Sequence, residues 1–397
     1  MRIVVCDRPA IGGTTRFCSN LVAAFEGSDH DVVRVAIGAQ ACQFSDEDAR
    51  RFGYFEKIAE DVEDATQAGR VFIEWVMERE VDVVLPHNSI IASYASQYLP
   101  AEVAVVPRCN SITRHTYRQV VVPAGWSNAI ICVAPRQIED LSSSYGLSKE
   151  RLRLIPNCAD VRTNVRERSG GVLRLGYIGR LHHESKGVMF LPDIVSELEK
   201  RSVTWTLTIA GSGPEEDELR ASLAAPIADG RVVFRDAVGG SDVGALMDEV
   251  DVFLLTSRFE GSPNGLLEAM GAGCVPVATR LKGVTDAILT EGQSGFLCGM
   301  GDAVAYADAI ALLAADPDRL ASMSAAARER VRSAYSLDVF RQAMEALFTD
   351  VVGGEEGLSR KTDLTSMRVG EFEPWYSWVP GPVKTFLRDF LERMRSR

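Results

Sequence analysis

The stretch from Arg258 to Thr279 contains two carboxylates, Glu260 and Glu268, with seven residues between them. A Gly/Ser/Pro/Asn loop joins the two acids, the apolar run Val252–Leu255 precedes them, and Gly265–Met270 is typical of a helix. The order of strand, loop, carboxylate, helix start and second carboxylate suits a polyhydroxylated, negatively charged ligand. Free N–H groups at a helix start attract anions, and carboxylates accept hydrogen bonds from sugar hydroxyls.

Two cations lie in a second segment that contains glycine, at Arg180 and Lys186. An apolar run ends at Gly179, where the absence of a side chain lets a ligand approach the backbone. Arginine binds phosphate as a fork and lysine as a point charge, so the pair suits a diphosphate beyond the end of a strand. Taken alone, the two could equally be solvated loop cations. Their combination with Gly211–Pro214 and the Glu260 segment favours a binding site.

Composition limits the function classes. The chain has 397 residues, 46% of them hydrophobic, and a formal net charge of −12. This length favours two globular domains. An acidic chain does not favour nucleic-acid binding, which requires a basic surface, so we expect no nucleic-acid partner. The eight cysteines occur singly, without a CxxC pair, and indicate neither a zinc ribbon nor a disulfide framework.

The same features favour a cytoplasmic protein without a metal. The chain begins with a short strand instead of a signal peptide, and no apolar run approaches the about 18–20 residues that span a bilayer. Cysteines without a disulfide pattern are typical of a reducing compartment. The acidic string Asp46-Glu47-Asp48 lies in a polar stretch and is interpreted as a solvated helix start. We therefore expect no metal and no other cofactor.

Short apolar runs alternate with amphipathic stretches, which favours an α/β fold with parallel sheets covered on both faces. The predicted strands are Ile3–Cys6, Val32–Ala36, Val81–Leu85, Val103–Val106 and Ile130–Val133, then Leu173–Ile178, Thr206–Ala210, Val232–Phe234, Val252–Leu255 and Val275–Ala278. The polar segment Asn157–Gly171 between the two series predicts a linker. We expect two Rossmann-like domains, residues 1–160 and 161–350, that bind ligands in the cleft between them.

Residues 351–397 are predicted to form a polar, flexible or surface segment followed by an amphipathic tail. In the tail, one helical face is apolar and consists of Phe386, Leu387, Phe390, Leu391 and Met394. One interpretation is a C-terminal helix that packs back on the N-terminal domain. The alternative is peripheral contact with a membrane, because Lys384 and four arginines add positive charge to the tail.

Together, these motifs resemble glycosyltransferase family 4, the retaining glycosyltransferases of group 1 with the two-domain GT-B fold. The matching residues are Gly179-Arg180-Leu181, Lys186-Gly187, Gly211-Ser212-Gly213-Pro214, Glu260-Gly261-Ser262-Pro263, Glu268-Ala269-Met270, Gly273 with Pro276-Val277, and Gly283. Ile155-Pro156-Asn157 is similar to the family's segment at the end of the first domain. The resemblance covers roughly residues 1–350 and is strong in the second domain and thin in the first.

The resemblance implies that the second domain binds a nucleotide-diphosphate sugar. Arg180 and Lys186 would hold the diphosphate, Glu268 the ribose hydroxyls, and Glu260 would face the transferred sugar. Further donor contacts are expected at Gly13, Gly179, Gly211, Asn264, Gly265 and Leu266. Cations and helix N–H groups at the leaving diphosphate would stabilise its developing charge, so a metal could be dispensable. Glu260 could also act as a nucleophile, but its spacing from Glu268 favours a role in orienting the donor.

The first domain would bind the acceptor. Gly12-Gly13 before a helix resembles the family's loop that approaches donor and acceptor; a tight turn without a ligand is the alternative. His87, which follows a predicted strand, and the pair Arg114-His115 are candidate acceptor-side residues, although a lone histidine is more often structural. The chain departs from the family pattern at Arg108, where a histidine is usual, and at Asp236, where a glycine is usual.

We therefore expect a retaining, metal-independent hexosyltransferase that uses a nucleotide-diphosphate sugar and a glycan or lipid-linked acceptor. Its expected role is cell-surface polysaccharide synthesis, in the cytoplasm or at the inner membrane face. Two alternatives stay open, a nucleotide-sugar epimerase of the same fold and a non-catalytic sugar-nucleotide-binding subunit. An epimerase would not need the cations and glutamates in this arrangement, and the complete set of donor residues argues against a non-catalytic copy.

Overall fold

The computed structural model describes residues 1–7, 13–45, 53–162, 171–201, 203–236, 241–352 and 358–369. Within them the chain forms two parallel-sheet domains. The string Asp46-Glu47-Asp48, Gly12 and the amphipathic tail lie outside the described residues, so the predictions made for them stay predictions.

The first domain contains a five-stranded parallel sheet. Its strands are β1 (Arg2–Cys6), β2 (Asp31–Ile37), β3 (Glu56–Ile58), β4 (Val83–Leu85) and β5 (Ala104–Val105), in the spatial order β3-β2-β1-β4-β5. A three-stranded parallel sheet follows, formed by β6 (Arg108–Cys109), β7 (Ile130–Cys132) and β8 (Leu152–Leu154). The side chain of Asn128 joins the two sheets, since its Oδ1 accepts from the backbone N–H of Val105 at 2.9 Å.

The second domain contains a six-stranded parallel sheet. Its strands are β9 (Leu173–Ile178), β10 (Trp205–Ala210), β11 (Val232–Arg235), β12 (Val252–Leu255), β13 (Val275–Thr279) and β14 (Phe296–Cys298), in the order β11-β10-β9-β12-β13-β14. In this doubly wound order, the direction of winding reverses between β9 and β12. Ligands of such sheets bind at the carboxyl ends of the strands, at that reversal.

Helices connect the strands. In the first domain the α-helices are Gly13–Phe25, Ala65–Glu78, Ile90–Ala95, Arg114–Val121 and Pro135–Tyr145. From residue 171 onward they are His183–Lys186, Leu191–Glu199, Glu216–Ser222, Ala224–Ala228, Ser241–Asp248, Asn264–Gly271, Thr285–Ile288, Ala303–Ala315, Pro317–Ala334 and Leu337–Val351. Side-chain caps begin several of them; for example, Asp64 accepts from the N–H of Gln67 at 2.7 Å.

Both faces of the first sheet are buried, as expected for parallel strands. On one face Ile3 and Val5 pack in a cluster with residues of helices Gly13–Phe25 and Leu337–Val351. On the other face Val4 and Cys6 pack in a cluster with residues of helix Ala65–Glu78. The alternation along β1 thus fixes which helix covers which face.

All ten predicted strands are present, with ends that shift by one or two residues. Four further strands were not predicted: β3, β6, β8 and β14. Each is two or three residues long, and none lies in an apolar run as long as those that identified the equally short β4, β5 and β7. Their pairing with a neighbouring strand defines them.

The C-terminal part of the chain differs from the prediction. Helix Leu337–Val351 was assigned to the second domain, but Phe340, Met344 and Phe348 pack in the core of the first. The segment Val352–Met367 was predicted to be flexible or at the surface, and most of its described residues are exposed, but Met367 is 0% exposed and packs against the first sheet's outer layer. The cause is non-local, since the segment is polar and its position depends on contacts with residues far away in the chain. The packing of a C-terminal helix on the N-terminal domain is therefore observed for helix Leu337–Val351, and the tail lies outside the described residues.

None of the helices in the described part of the chain has the length and apolar character that crossing a bilayer requires.

Candidate functional site

Lys186 and Glu260 meet where the winding of the second sheet reverses. The loop after β9 carries Lys186, and the loop after β12 carries Glu260. The Nζ of Lys186 donates to Oε1 of Glu260 at 2.5 Å. Ser257 Oγ donates to the same oxygen at 2.7 Å. The predicted diphosphate cation and the predicted sugar-facing carboxylate thus share one site, and each fixes the other.

A glycine brings these two loops together. Gly187 has φ +62°, and a Cβ there would lie 2.1 Å from the carbonyl oxygen of Thr256. Thr256 Oγ1 donates to the carbonyl oxygen of Lys186 at 2.8 Å, and the N–H of Arg258 donates to that of Ser185 at 2.9 Å. Because only glycine fits this left-handed, crowded position, the Lys-Gly pair is a packing requirement as well as a binding motif.

The Gly211-x-Gly213 turn supports the cation loop from the other side. Gly211 has φ +148°, and a Cβ there would lie 1.9 Å from the carbonyl oxygen of Gly179. A Cβ on Gly213 would lie 2.0 Å from the carbonyl oxygen of Leu181. The N–H of Leu181 donates to Ser212 O at 2.9 Å. The turn therefore sets the course of residues 179–181, which present Arg180.

Arg180 is exposed at the edge of this site, and among the described residues no carboxylate lies within ion-pairing distance of its guanidinium. Its backbone is held because Tyr177 Oη donates to the carbonyl oxygen of Arg180 at 2.9 Å. Lys186, by contrast, is 32% exposed and paired. The two cations therefore differ: one is fixed by Glu260 and the other is able to turn toward a ligand.

Helix Asn264–Gly271 begins beside Glu260, with Pro263 at its N-cap and no side-chain cap on its first N–H groups. A Cβ on Gly265 would lie 3.4 Å from the ring of Phe253, so the backbone of Gly265 sits close against the sheet. Asn264 and Gly265 thus form an N-terminus that can donate to an anion, whereas the N–H of Leu266, which was also predicted to do so, donates to Pro263 O at 3.1 Å. Glu268 follows one turn later.

Glu268 pairs with a residue of the first domain that the sequence analysis did not assign to the site. The Nη2 of Arg16 lies 3.0 Å from Oε1 of Glu268, with side-chain exposures of 34% and 18%. Burial raises the pKa of Glu268, Arg16 opposes that rise and Asp160 adds to it. Arg16 stands in the first turn of the helix that Gly13 begins, so the double-glycine motif was the available signal for it.

His87 does not lie where the sequence prediction placed it. It was expected to face the acceptor in the cleft, but its side chain is 3% exposed and its ring centroid lies 4.8 Å from that of Phe17. His87, Asp7 and Cys18 offer ligand-type atoms within 4.8 Å of one another, all of them buried. Arg34 lies 3.9 Å from Asp7 in the same cluster, so positive charge already faces that carboxylate. The cluster is therefore interpreted as buried polar packing under the first sheet's carboxyl edge.

The other acceptor-side candidates are at the surface. Arg114 and His115 are exposed in the first turn of helix Arg114–Val121, which Thr113 caps. The Nε2 atom of His115 lies 3.2 Å from Nε2 of Gln119. Exposure leaves both side chains accessible to an acceptor, but no contact within the described residues joins them to the Glu260 loop.

Arg108, which stands where the family has a histidine, is buried and connects the two domains. It donates to Oδ1 of Asn110 and to Oδ1 of Asn157, and its guanidinium lies 4.0 Å from the centre of the Phe17 ring. Asn157 Nδ2 in turn donates to the carbonyl oxygen of Ser262 at 2.9 Å. The chain of contacts ends two residues from Glu260, so Arg108 supports the loop that carries Glu260 from the first domain.

Comparison with known proteins agrees with this geometry. Residues 173–316 match the family model "Glycosyl transferases group 1". The glycogen synthase of Mycobacterium tuberculosis is 26% identical over 293 residues, 69% of this chain and 70% of that protein. The putative colanic acid biosynthesis glycosyltransferase WcaL of Escherichia coli K12 is 30% identical over 171 residues, 41% of this chain and 42% of that protein.

Two solved structures share the fold. TarM of S. aureus superposes with a TM-score of 0.74 at 11% identity, over 87% of this chain and 99% of that one. HepE of Anabaena, in complex with UDP, superposes with a TM-score of 0.71 at 18% identity, over 88% of this chain and all of that one. At these identities the likeness establishes the fold.

The site and the fold define a glycosyltransferase with the two-domain GT-B architecture. The group 1 match over residues 173–316 and the glycosyltransferase relatives support this class for the chain.

Proposed function

We propose that the protein is a retaining glycosyltransferase that moves a hexose from a nucleotide-diphosphate sugar to a glycan or lipid-linked acceptor. The observation that carries this proposal is the contact of Lys186 with Glu260 at the reversal point of the second sheet. It places a cation, a carboxylate and a helix N-terminus around one position, at the sheet edge where ligands of this architecture bind.

In this proposal the donor lies across the carboxyl edge of β9 and β12. Lys186 and Arg180 bind the diphosphate, with the backbone near Gly179 and Gly211 in close approach. Glu268 accepts from the ribose hydroxyls, and the N–H groups of Asn264 and Gly265 donate from the helix start. HepE in complex with UDP-glucose is a structural neighbour that supports a nucleotide-sugar donor.

The chemistry follows from the charges. The bond between the anomeric carbon and the diphosphate oxygen breaks, and negative charge grows on the leaving oxygen. Preorganised cations and helix N–H groups stabilise that charge without reorganisation. We therefore propose no resident metal and no other cofactor. Before the donor binds, the Nζ of Lys186 is hydrogen-bonded to Glu260. When the donor binds, this nitrogen exchanges its carboxylate partner for a phosphate.

Glu260 is proposed to orient the sugar instead of attacking it. Its Oε1 accepts from both Lys186 and Ser257, which fixes the carboxylate as a hydrogen-bond acceptor. Transfer with retention then requires the acceptor to attack the face that the diphosphate leaves, and the leaving phosphate takes the acceptor's proton.

The acceptor is proposed to bind on the first-domain side, near exposed Arg114 and His115, with Gly13 at the start of the facing helix. Relatives named for colanic acid and amylovoran biosynthesis support a role in cell-surface polysaccharide synthesis. The proposed location is the cytoplasm, peripheral to the inner membrane when the acceptor is lipid-linked, with no nucleic-acid partner.

The test is release of nucleoside diphosphate from a panel of UDP-, ADP-, GDP- and TDP-sugars, with and without glycan and lipid-linked acceptors. Acceptor-dependent release with an NMR-determined product of unchanged anomeric configuration is expected. An inverted product would contradict retention. Conversion of the free nucleotide sugar into its epimer would favour the epimerase, and nucleotide binding without turnover would favour a non-catalytic subunit.

A further inference from the structure

The helix that begins at Gly13 turns one polar face toward the second domain. Phe17 and Cys18 are buried in the first domain's core, at 2% and 0% exposure. Arg16 and Asn20, one turn apart, lie on the opposite side and line a cavity of about 220 Å³ together with the crossing segment Cys158–Asp160. Asn20 Nδ2 donates to the carbonyl oxygen of Cys158 at 3.1 Å. This face of the helix is therefore in contact with the segment through which the chain crosses to the second domain.

The helix that carries Glu268 is fixed to the same crossing segment. A Cβ on Gly271 would lie 2.2 Å from the carbonyl oxygen of Asp160, and the N–H of Arg162 donates to Gly271 O at 3.0 Å. Leu267 and Ala269, on either side of Glu268, are 0% exposed. The backbone around Glu268 thus has little freedom, and its carboxylate is held toward Arg16.

We propose that Arg16 is a donor-positioning residue, which holds the carboxylate of Glu268 in place for the nucleotide's ribose from the opposite domain. This inference rests on the proposed function. The geometry that carries it is the 3.0 Å contact across the domain boundary. Among the described residues, Arg16 is the only cation within ion-pairing distance of Glu268.

The carboxylate of Glu268 can accept enough hydrogen bonds to bind Arg16 and the ribose hydroxyls at the same time. A carboxylate offers about four lone-pair positions, and Arg16 occupies Oε1. The second oxygen is left for the ribose hydroxyls. Burying a charged carboxylate without a cation beside it is also unfavourable in free energy. Removal of Arg16 therefore leaves the Glu268 carboxylate less well oriented and more easily protonated.

The experiment compares nucleotide binding to the full chain and to Arg16→Gln by titration calorimetry. The probe is whichever of UDP, ADP and GDP binds the wild-type protein most tightly, together with its 2′,3′-dideoxy form. We expect Arg16→Gln to weaken binding of the ribose form about tenfold, the size of one lost hydrogen bond to a charged group. Binding of the dideoxy form should be unchanged. Arg16→Lys, which keeps the charge, should restore part of the loss.

Two controls separate positioning from a general structural effect. Arg332→Gln breaks an exposed ion pair with Glu329 at 2.5 Å, away from the site, and should leave both affinities unchanged. The Arg16→Gln/Glu268→Gln double variant should be no weaker than Glu268→Gln alone, because the two residues act on one ligand group.

Three results would overturn the inference. Equal weakening of both nucleotide forms would show a structural role, and tighter binding by Arg16→Gln would show that the ion pair competes with the donor. Unchanged affinity for the ribose form would show no role. If the wild-type protein binds none of UDP, ADP, GDP and TDP, the proposed function fails together with the inference.

Discussion

Lys186 Nζ and Glu260 Oε1 lie 2.5 Å apart and join the loops that follow the two central strands of the second sheet. The contact links two residues that are distant in sequence but belong to the same proposed donor-binding site. It also means that Lys186 is already paired with a carboxylate before a ligand binds. In the proposed function, a diphosphate competes with Glu260 for the lysine nitrogen.

The two members of this pair should have separable effects. Lys186→Ala removes a phosphate cation and should weaken nucleoside diphosphate binding and lower turnover by about 10²–10³-fold, the loss typical of one transition-state donor. Glu260→Gln removes a sugar contact and should lower turnover while the affinity for the nucleoside diphosphate stays within about threefold of wild type. Calorimetry and a diphosphate-release assay measure the two quantities.

Lys282→Ala serves as the control for charge, because Lys282 is an exposed lysine of the same domain. Its kinetics should match wild type. A Lys186→Ala variant with full turnover would show that the donor site is elsewhere.

Gly211→Ala should be destabilising through the backbone. Gly211 has a left-handed φ of +148°, and an alanine there would place its Cβ 1.9 Å from the carbonyl oxygen of Gly179. We expect a loss of about 2–3 kcal/mol in the free energy of unfolding, because strain and overlap add. Denaturant titration measures it. Gly230 has φ +78° with open space around it. Gly230→Ala should therefore lower the free energy of unfolding by about 1 kcal/mol. Equal losses in the two variants would mean that φ alone matters.

Nucleotide affinity should depend on pH through Glu268. Burial raises the pKa of this carboxyl, with Asp160 acting in the same direction and Arg16 against it. Glu268 therefore becomes protonated at a higher pH than a solvated glutamate, and its capacity to accept from ribose hydroxyls declines as pH falls through that raised pKa. Affinity measured from pH 8 to pH 5 should fall in wild type. In Glu268→Gln the decline should be smaller, because only the terminal phosphate of the nucleotide then titrates, and an equal decline would assign the effect to another group.

The cysteines should be unreactive in the native protein and should limit its alkaline stability. All eight are free and buried. Burial raises the pKa of Cys132, Cys158 and Cys298 to about 12, so in the folded state these thiols stay protonated. Their contribution to stability is complete below the unfolded pKa, near 9, and is lost as pH rises from there toward 12. The thermal midpoint should therefore decrease above pH 9.

A thiol reagent at pH 8 should label none of the cysteines in the native protein and all eight in guanidinium. Labelling at native pH without denaturant would show that one of the buried clusters opens.

Local patterns were enough to predict ten of the fourteen strands in the described part of the chain. Val252–Leu255 is apolar and bounded by turn residues, so its strand could be identified without any neighbour. The role of Gly211 was only partly readable: the sequence indicated a turn, whereas the approach of Gly179 that makes glycine necessary is a contact between two loops.

Local sequence patterns could not predict the contacts of Arg16, His87 and Met367. Arg16 pairs with a carboxylate of the other domain, and no periodicity encodes that distance. His87 follows a strand at a ligand-binding edge, but Phe17 covers it. Met367 lies in a polar segment, and its burial depends on the surface to which that segment returns. In each case the deciding neighbour is far away in the chain.

The return of helix Leu337–Val351 to the first domain makes the second domain an insertion. The chain enters it near residue 159 and leaves near residue 335, and the two crossings touch, since the N–H of Ala159 donates to Tyr335 O at 2.9 Å. Because the two crossings lie side by side, rotation of the domains about the line through them is favoured over their free separation. The protein therefore cannot be divided at residue 160 into independent halves: residues 1–160 alone would expose the apolar face of β1 that Phe340, Met344 and Phe348 cover.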